Sequence, residues 1–141
     1  MKRIPAIIIV LLASLAAAGS AAAQDHQTKA IIPFNFYVDN TWMPSGTYTL
    51  SSDSNHAGLI TVANADWNNA VVVETLPDDA RAGSGKLVFH KVGDQYFLHE
   101  ILASSSHMNA KFFASRTEKS ALTRESAAND SPSTVYLALL K

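Results

Sequence analysis

Apolar and polar residues alternate with a period of two along most of this chain, which is the pattern of half-buried β-strands. In residues 32–38 every second position is apolar, and these positions share one predicted face. They are Ile32, Phe34, Phe36 and Val38. Pro33 lacks the N–H group that a strand inside a sheet donates, so this strand is expected at a sheet edge or beginning at the proline.

Further β-rich segments follow, separated by polar turns and loops. They are 47–50, 59–62, 71–76, 87–92, 95–102 and 134–140. The last segment is apolar on both faces, which predicts a central or covered strand. Before it, Ser115 and Glu118 match the capping box, in which each side chain satisfies the other residue's backbone N–H. Residues 119–128 then predict a short helix.

The clearest local signal is a β-hairpin around the turn Gly93-Asp94. Counting outward from this turn gives the expected cross-strand pairs: His90 with Phe97, Phe89 with Leu98, Val88 with His99, and Leu87 with Glu100. This register places Glu100 on the same face as Phe89. We expect Phe89 and Phe36 to lie in the core.

The predicted fold is therefore mostly β. We expect a single antiparallel β-barrel or β-sandwich of about seven or eight strands, with one short helix before the C-terminal strand.

The first 23 residues predict a secretory signal peptide. Lys2 and Arg3 precede an apolar run, and Ala21-Ala22-Ala23 supplies the small residues of a cleavage site. Cleavage there leaves residues 24–141 as one domain of 118 residues (141 minus 23). No later segment predicts a membrane-spanning helix. The expected location is the periplasm or the outside of a bacterial cell.

Composition narrows the possible partners and cofactors. The chain has no cysteine, which excludes disulfides and thiolate metal sites. Without the leader, 9 of the 11 basic residues and all 12 acidic residues remain, for a net charge of −3 (9 minus 12). Because the basic residues are scattered, a nucleic-acid partner is not expected. No cofactor is expected either.

Several of these residues together resemble a family of short exported bacterial proteins. The matching features are Pro33-Phe34-x-Phe36, Met43-Pro44-x-Gly46-x-Tyr48, Leu87-x-Phe89 with Tyr96-Phe97-Leu98, and 115–118. These motifs are turn residues and core aromatics. The family has no established activity, so the resemblance implies a β fold and export, and it transfers no catalytic residue.

Two histidines and two tryptophans are the candidate binding residues. His90 and His99 are expected on one face of the hairpin as diagonal neighbours, where they would share a metal ion if His107 or a carboxylate supplied a third ligand. Trp42 and Trp67 adjoin predicted turns. An indole there either forms a platform for a sugar ring or a partner surface, or covers one end of the β domain.

These patterns predict an exported, non-enzymatic β domain. Its expected partner is an envelope protein, a glycan or a small apolar ligand inside a barrel. One alternative is an envelope hydrolase that acts on a glycan through Glu74 and Glu100, of which Glu100 is the better candidate because its predicted face is buried. The other alternative is a purely structural surface protein.

Overall fold

The computed structural model describes residues 26–53, 55–56, 58–78, 85–103 and 108–140. The predicted leader and His107 lie outside these ranges. Within them the chain forms ten strands and one helix, α1 (Arg116–Ala127). The strands are β1 (His26–Ile32), β2 (Phe36–Val38), β3 (Thr41–Met43), β4 (Gly46–Ser52), β5 (Leu59–Asn64), β6 (Ala70–Pro77), β7 (Lys86–Val92), β8 (Gln95–Ala103), β9 (Met108–Phe112) and β10 (Ser133–Ala138).

All ten strands belong to one sheet with the order β1-β4-β5-β6-β9-β8-β2-β3. Strand β7 pairs with β8 and with β10, off this path. Every ladder between these strands is antiparallel except for one parallel bridge, between Tyr37 of β2 and Phe97 of β8. Strand β6 therefore joins two halves of the sheet, one containing β1, β4 and β5 and the other containing the remaining strands.

The ladders do not close this sheet into a barrel. Strand β1 and the residues after β10 meet at one isolated bridge, where the N–H of Leu140 donates to the carbonyl of Lys29 at 2.7 Å. A ladder of several such bonds would be needed for closure. The mostly β fold with one helix is thus confirmed, and the open sheet is consistent with the sandwich alternative.

The described strands number ten, compared with the seven or eight expected from sequence. Strand β1 was missed because its first four residues are polar or charged. Strand β3 is only three residues long, which is too short for an alternating pattern to be recognised. Strand β9 was missed although its five residues alternate between apolar and polar. In addition, the expected strand over 32–38 is divided by the segment 33–35 between β1 and β2.

The main core lies between the two halves of the sheet and is rich in aromatic side chains. Phe36 and Phe89 are fully buried, as the alternating pattern predicts. Their rings meet edge to face with centroids 5.7 Å apart, and Phe36 also contacts Tyr48 edge to face at 5.1 Å. The Tyr48 hydroxyl donates to the carbonyl of Pro44 at 2.6 Å, so its buried polar atom is paired.

The β7–β8 hairpin contains a bulge that changes the predicted register. Phe89 faces Leu98 and His90 faces Phe97, as expected. Beyond these pairs the register shifts, so that Val88 faces Glu100 and Leu87 faces Ile101. The predicted pairs of Val88 with His99 and of Leu87 with Glu100 are therefore wrong. A bulge inserts one unpaired residue into a ladder, and here that residue is His99.

Helix α1 begins one residue after Ser115, whose side chain caps it. The Ser115 hydroxyl oxygen accepts a hydrogen bond from the backbone N–H of Glu118 at 3.1 Å, which is half of the predicted capping box. The helix ends at Ala127, where Ala128 caps it and Asn129 adopts a positive φ of 58°. No helix in the described part of the chain is long and apolar enough to cross a membrane.

Strand β10 is an outer strand, which differs from the predicted covered position. It pairs only with β7, and Tyr136 is exposed with the Lys86 ammonium 4.6 Å from the centre of its ring. Val135 and Leu137 turn the other way and pack against the core. One face of β10 is thus apolar and half-buried, while the other carries an aromatic residue in solvent.

Candidate functional site

The hairpin register brings several candidate residues onto the outer face of the sheet, away from the main core. Residues directly opposite one another on paired strands share a face. One cross-strand row consists of Tyr136, Val88, Glu100, Lys111 and Leu76. The next row consists of Thr134, His90, Phe97, Tyr37 and Trp42. Two of the predicted site residues, His90 and Trp42, therefore lie in a single row.

His90 and His99 stack on each other on this outer face. Their ring centroids are 3.7 Å apart and their planes differ by 25°. The bulge at His99 is responsible, because the extra residue moves the imidazole of β8 onto that of β7. The sequence expectation that the two histidines are neighbours agrees with this arrangement, but the two rings meet through their faces.

Helix α1 contributes a buried carboxylate to the histidine pair. Glu118 is 4% exposed, and its Oε1 lies 2.8 Å from Nδ1 of His90. Because a carboxylate only accepts hydrogen bonds, Nδ1–H of His90 is the donor. In a complete capping box this carboxylate would bind the backbone N–H of Ser115, so the contact with His90 takes its place.

Glu100 occupies the other side of the pair. Its Oε1 is 3.7 Å from Nε2 of His99 and 3.9 Å from the ammonium of Lys111, which faces it across the β8–β9 ladder. Glu100 is 8% exposed, so its predicted burial is confirmed. The predicted face is wrong, because the bulge turns Glu100 away from Phe89 and toward the outer row.

The environment of His99 favours its neutral form. Burial lowers the pKa of His99 below its ordinary value, and the neighbouring His90 and Lys111 act in the same direction. The carboxylates of Glu100 and Glu118 oppose this effect. Desolvation is the largest cause, as expected for an imidazole held against a sheet.

The described residues do not assemble a metal centre around the two histidines. No group of three or more histidine, aspartate or glutamate side chains in the part of the chain that the structure covers could hold a metal ion. Metal ligands point their nitrogen lone pairs at one point, whereas His90 and His99 stack. Their arrangement is that of a hydrogen-bonded polar cluster with Glu118.

Glu74 and Glu100 do not form the carboxylate pair that a glycosidase would use. Glu74 lies on β6, where it faces Leu59, and it is exposed. Glu100 lies on β8, and β9 separates the two strands. Lys111 of that intervening strand contacts Glu100. Glycosidases hold their two carboxyl groups across one scissile bond in a cleft, which differs from this separation on an open sheet face.

Trp42 ends an aromatic row on the outer face. It faces Tyr37 across the β2–β3 ladder and is 52% exposed. Tyr37 in turn stacks on Phe97, with centroids 5.3 Å apart. The row therefore runs from the buried Phe97 to the half-exposed indole of Trp42.

Trp67 occupies the turn between β5 and β6 and is 64% exposed. Its backbone adopts φ 56°, in the left-handed region. The turn is held by the N–H of Trp67, which donates to the carbonyl of Asn64 at 3.0 Å, and by the N–H of Asn69, which donates to Oδ1 of Asn64 at 3.2 Å. The N–H of Ala65 donates to the carbonyl of Thr47 at 2.9 Å and ties the turn to β4.

Sequence reasoning missed two members of the outer-face cluster. Glu118 carried a signal, the capping box, but that motif predicts a backbone partner. Lys111 carried the alternation of β9, which indicates an outward side chain, but this strand was not predicted. A shallow polar depression lined by Ser51, Ser52, Asp53 and Thr61 was not predicted either.

Comparisons with protein-family models, with curated proteins and with solved structures find no match to this chain. The resemblance to short exported bacterial proteins therefore stays a prediction. The candidate site has to be interpreted from its own geometry.

Proposed function

We propose that this chain is an exported, non-catalytic β domain that binds an uncharged glycan, with the exposed indole of Trp67 as the main contact. The observation that carries the proposal is the combination of solvent exposure and backbone strain at this one residue.

The backbone of Trp67 argues for a role outside folding. A left-handed φ costs a bulky residue roughly 1–2 kcal/mol, and glycine or asparagine would avoid most of that cost. Burial does not compensate for the strain, since most of the indole is in solvent. Residues held in such conformations cluster at functional sites. The strain and the exposure of Trp67 together support a binding function.

The surroundings of Trp67 suit a sugar ring. An indole offers a flat apolar face on which the C–H groups of a pyranose can stack. Asp66 and Asn68 flank the tryptophan on the same exposed turn. Carboxylate and amide side chains supply the hydrogen-bond acceptors and donors that sugar hydroxyls require. The hydrogen bonds of Asn64 fix the turn, which lowers the entropic cost of binding.

The charge of this region favours an uncharged glycan over an acidic one. No lysine or arginine occurs between Lys29 and Arg81. The same segment contains six carboxylates: Asp39, Asp53, Asp66, Glu74, Asp78 and Asp79. Anionic polymers are recognised through arginine or lysine side chains, and repulsion by like charges disfavours them here.

The remaining hypotheses receive less support. A ligand inside the sheet would need a lined cavity, but Phe36, Tyr48 and Phe89 pack against one another there. A hydrolase would need two facing carboxylates, and Glu74 and Glu100 lie on strands separated by β9. An outer-surface binding site requires neither feature.

Affinity electrophoresis of the purified domain tests the proposal. Gels containing hydroxyethyl cellulose, laminarin or arabinoxylan are expected to retard the protein, while polygalacturonate does not. Trp67→Ala is expected to weaken the retarding interaction about tenfold or more, which corresponds to ~1.4 kcal/mol or more. Phe113→Ala is the matched control, because Phe113 is also an exposed aromatic residue. If none of the neutral polysaccharides changes the migration of the protein, the proposal is contradicted. If Trp67 is found to bind a protein, that protein takes the place of the glycan as the partner.

Export is tested separately. N-terminal sequencing of the protein from the producing bacterium is expected to give Gln24 as the first residue, in the periplasm or the medium. A cytoplasmic protein that retains residues 1–23 would contradict the proposed location.

A further inference from the structure

Helix α1 is attached to the sheet through few apolar contacts. Of its twelve residues only Glu118 and Ala121 are buried. Other contacts of the helix are exposed hydrogen bonds. The Thr117 N–H and hydroxyl both donate to Oδ1 of Asn40, and Arg124 donates to Gln95. A helix with so little buried apolar area is held mainly by polar contacts, whose strength depends on charge.

The helix covers a small apolar cluster that is separate from the main core. Ala121 packs there with Val92 and Phe97, and Tyr37 and Leu122 lie at its margin. Phe97 and Tyr37 belong to the same cross-strand row as the exposed Trp42. Release of α1 would therefore extend the exposed aromatic surface from Trp42 toward Phe97.

The first turn of the helix, which carries the buried Glu118, is hydrogen-bonded to the histidine pair. Glu118 accepts from His90 at 2.8 Å, and His90 stacks on His99 at 3.7 Å. Within the described part of the chain, the other charged groups beside the pair are Glu100 on β8 and Lys111 on β9. The positive charge of one proton on the pair is balanced by the negative charge of the Glu118 carboxylate. A second proton places two positive charges on the stacked rings, beside the ammonium of Lys111.

We propose that the His90–His99 stack is a pH-sensitive contact of helix α1. It holds the helix on the sheet while at least one ring is neutral, and it releases the helix when both rings are protonated. The second proton repels the first across the stack, separates the rings and withdraws His90 from Glu118. Acidification then releases α1 and uncovers Phe97 and Tyr37.

Linkage gives the direction of the effect. Burial, with the charge of His90, lowers the pKa of His99 while the helix is docked. Once the stacked rings have separated, the face of His99 that lay against His90 is hydrated, and His99 takes up a proton near the ordinary histidine pKa of about 6.5. The open state therefore binds more protons than the docked state, so the opening equilibrium rises as the pH falls below about 6.5.

Hydrogen exchange measured by mass spectrometry on the full domain tests this proposal. Protection factors, which correct for the intrinsic pH dependence of exchange, are compared at pH 7.5 and pH 5.5. For the wild type we expect a several-fold loss of protection in α1 at the lower pH, larger than any loss in β4 and β5. His99→Phe retains a ring that can stack but cannot be charged, and α1 is expected to stay equally protected at both pH values.

A second histidine provides the matched control. His56 is exposed and its Nδ1 lies 2.9 Å from Asp53, so His56→Gln also removes a histidine–carboxylate contact but leaves α1 untouched. It is expected to lose α1 protection at low pH as the wild type does. If His99→Phe does not fold, His99→Gln takes its place with the same expectation.

Three results would overturn the proposal. One is wild-type α1 protection that does not change between the two pH values. Another is a variant at His99 that keeps the full wild-type response. The third is an equal loss of protection in α1, β4 and β5, which would mean that acid unfolds the whole domain.

Discussion

The Glu125 carboxylate of helix α1 lies directly over Gly93 in the β7–β8 turn. A Cβ atom added to Gly93 would come within 2.5 Å of Oε1 of Glu125. Gly93 also adopts φ 57°, in the left-handed region. The turn thus needs glycine for its backbone conformation, and the Glu125 side chain would have to move aside for a Cβ atom at this position.

Gly93→Ala is expected to destabilise the domain by roughly 1–3 kcal/mol, from backbone strain and the clash with Glu125. Urea denaturation measures the free energy of unfolding. Gly93→Ala combined with Glu125→Ala should recover the part that comes from the clash, while the strain remains. A double variant no more stable than Gly93→Ala alone would show that the carboxylate moves aside without cost.

Ser115→Ala is expected to lower the free energy of unfolding by about 1 kcal/mol, because the backbone N–H of Glu118 loses its capping acceptor. Ser120→Ala is the matched control. Ser120 is exposed inside the same helix, where alanine has the higher helix propensity, so no loss is expected. Equal losses for both variants would contradict the capping role of Ser115.

Phe89→Ala is expected to destabilise the domain by about 3–5 kcal/mol, since it leaves a cavity in the main core. The exposed Phe113 provides the comparison, and Phe113→Ala should change the free energy of unfolding by less than about 0.5 kcal/mol. Thermal or urea unfolding of the two variants measures the difference. A Phe89→Ala protein that unfolds like the wild type would show that the core is assigned to the wrong face.

The stability of the whole domain is expected to fall in mild acid through His99. The folded-state pKa of this imidazole is lowered, by burial first and then by His90. Its contribution to stability is therefore complete above the unfolded histidine pKa of about 6.5 and is lost as the pH falls toward the folded value. Unfolding free energies between pH 8 and pH 5 should decline less steeply for His99→Phe. Parallel curves for the two proteins would contradict this assignment.

Short-range signals predicted the parts of the structure that depend on local chemistry. The turn at Gly93-Asp94 and the pairing of Phe89 with Leu98 follow from turn type and alternation, which act over a few residues. Ser115 was predicted as a helix cap for the same reason. The burial of Phe36 also followed from the alternating pattern of its strand.

The outer-face cluster required long-range information. The bulge at His99 depends on how β8 pairs with β7 and β9 at once, and a shift of one residue moves Glu100 to the other face. The partner of the Glu118 carboxylate is 28 residues away in the chain. Strand β9, by contrast, could have been predicted, because its buried apolar residues Met108, Ala110 and Phe112 alternate with Asn109 and Lys111.

Trp67→Asn separates the stability of the Trp67 turn from its proposed function. Asparagine tolerates the left-handed backbone, so the variant is expected to be as stable as the wild type or more stable by up to about 1 kcal/mol. A neutral or stabilising change at a residue required for binding is the usual sign of strain kept for function. A loss of more than about 1 kcal/mol would mean that Trp67 has a structural role.

Glycan binding by Trp67 can be measured directly as a change in tryptophan fluorescence during a titration with laminarin or with hydroxyethyl cellulose. The chain contains two tryptophans, so Trp42→Phe leaves Trp67 as the only indole. We expect a saturable change in the Trp67 emission with either polysaccharide, and binding weakened about tenfold or more when Trp67→Asn is studied by calorimetry. An emission spectrum that does not respond, or equal affinity of the Trp67→Asn protein, would contradict glycan binding by Trp67.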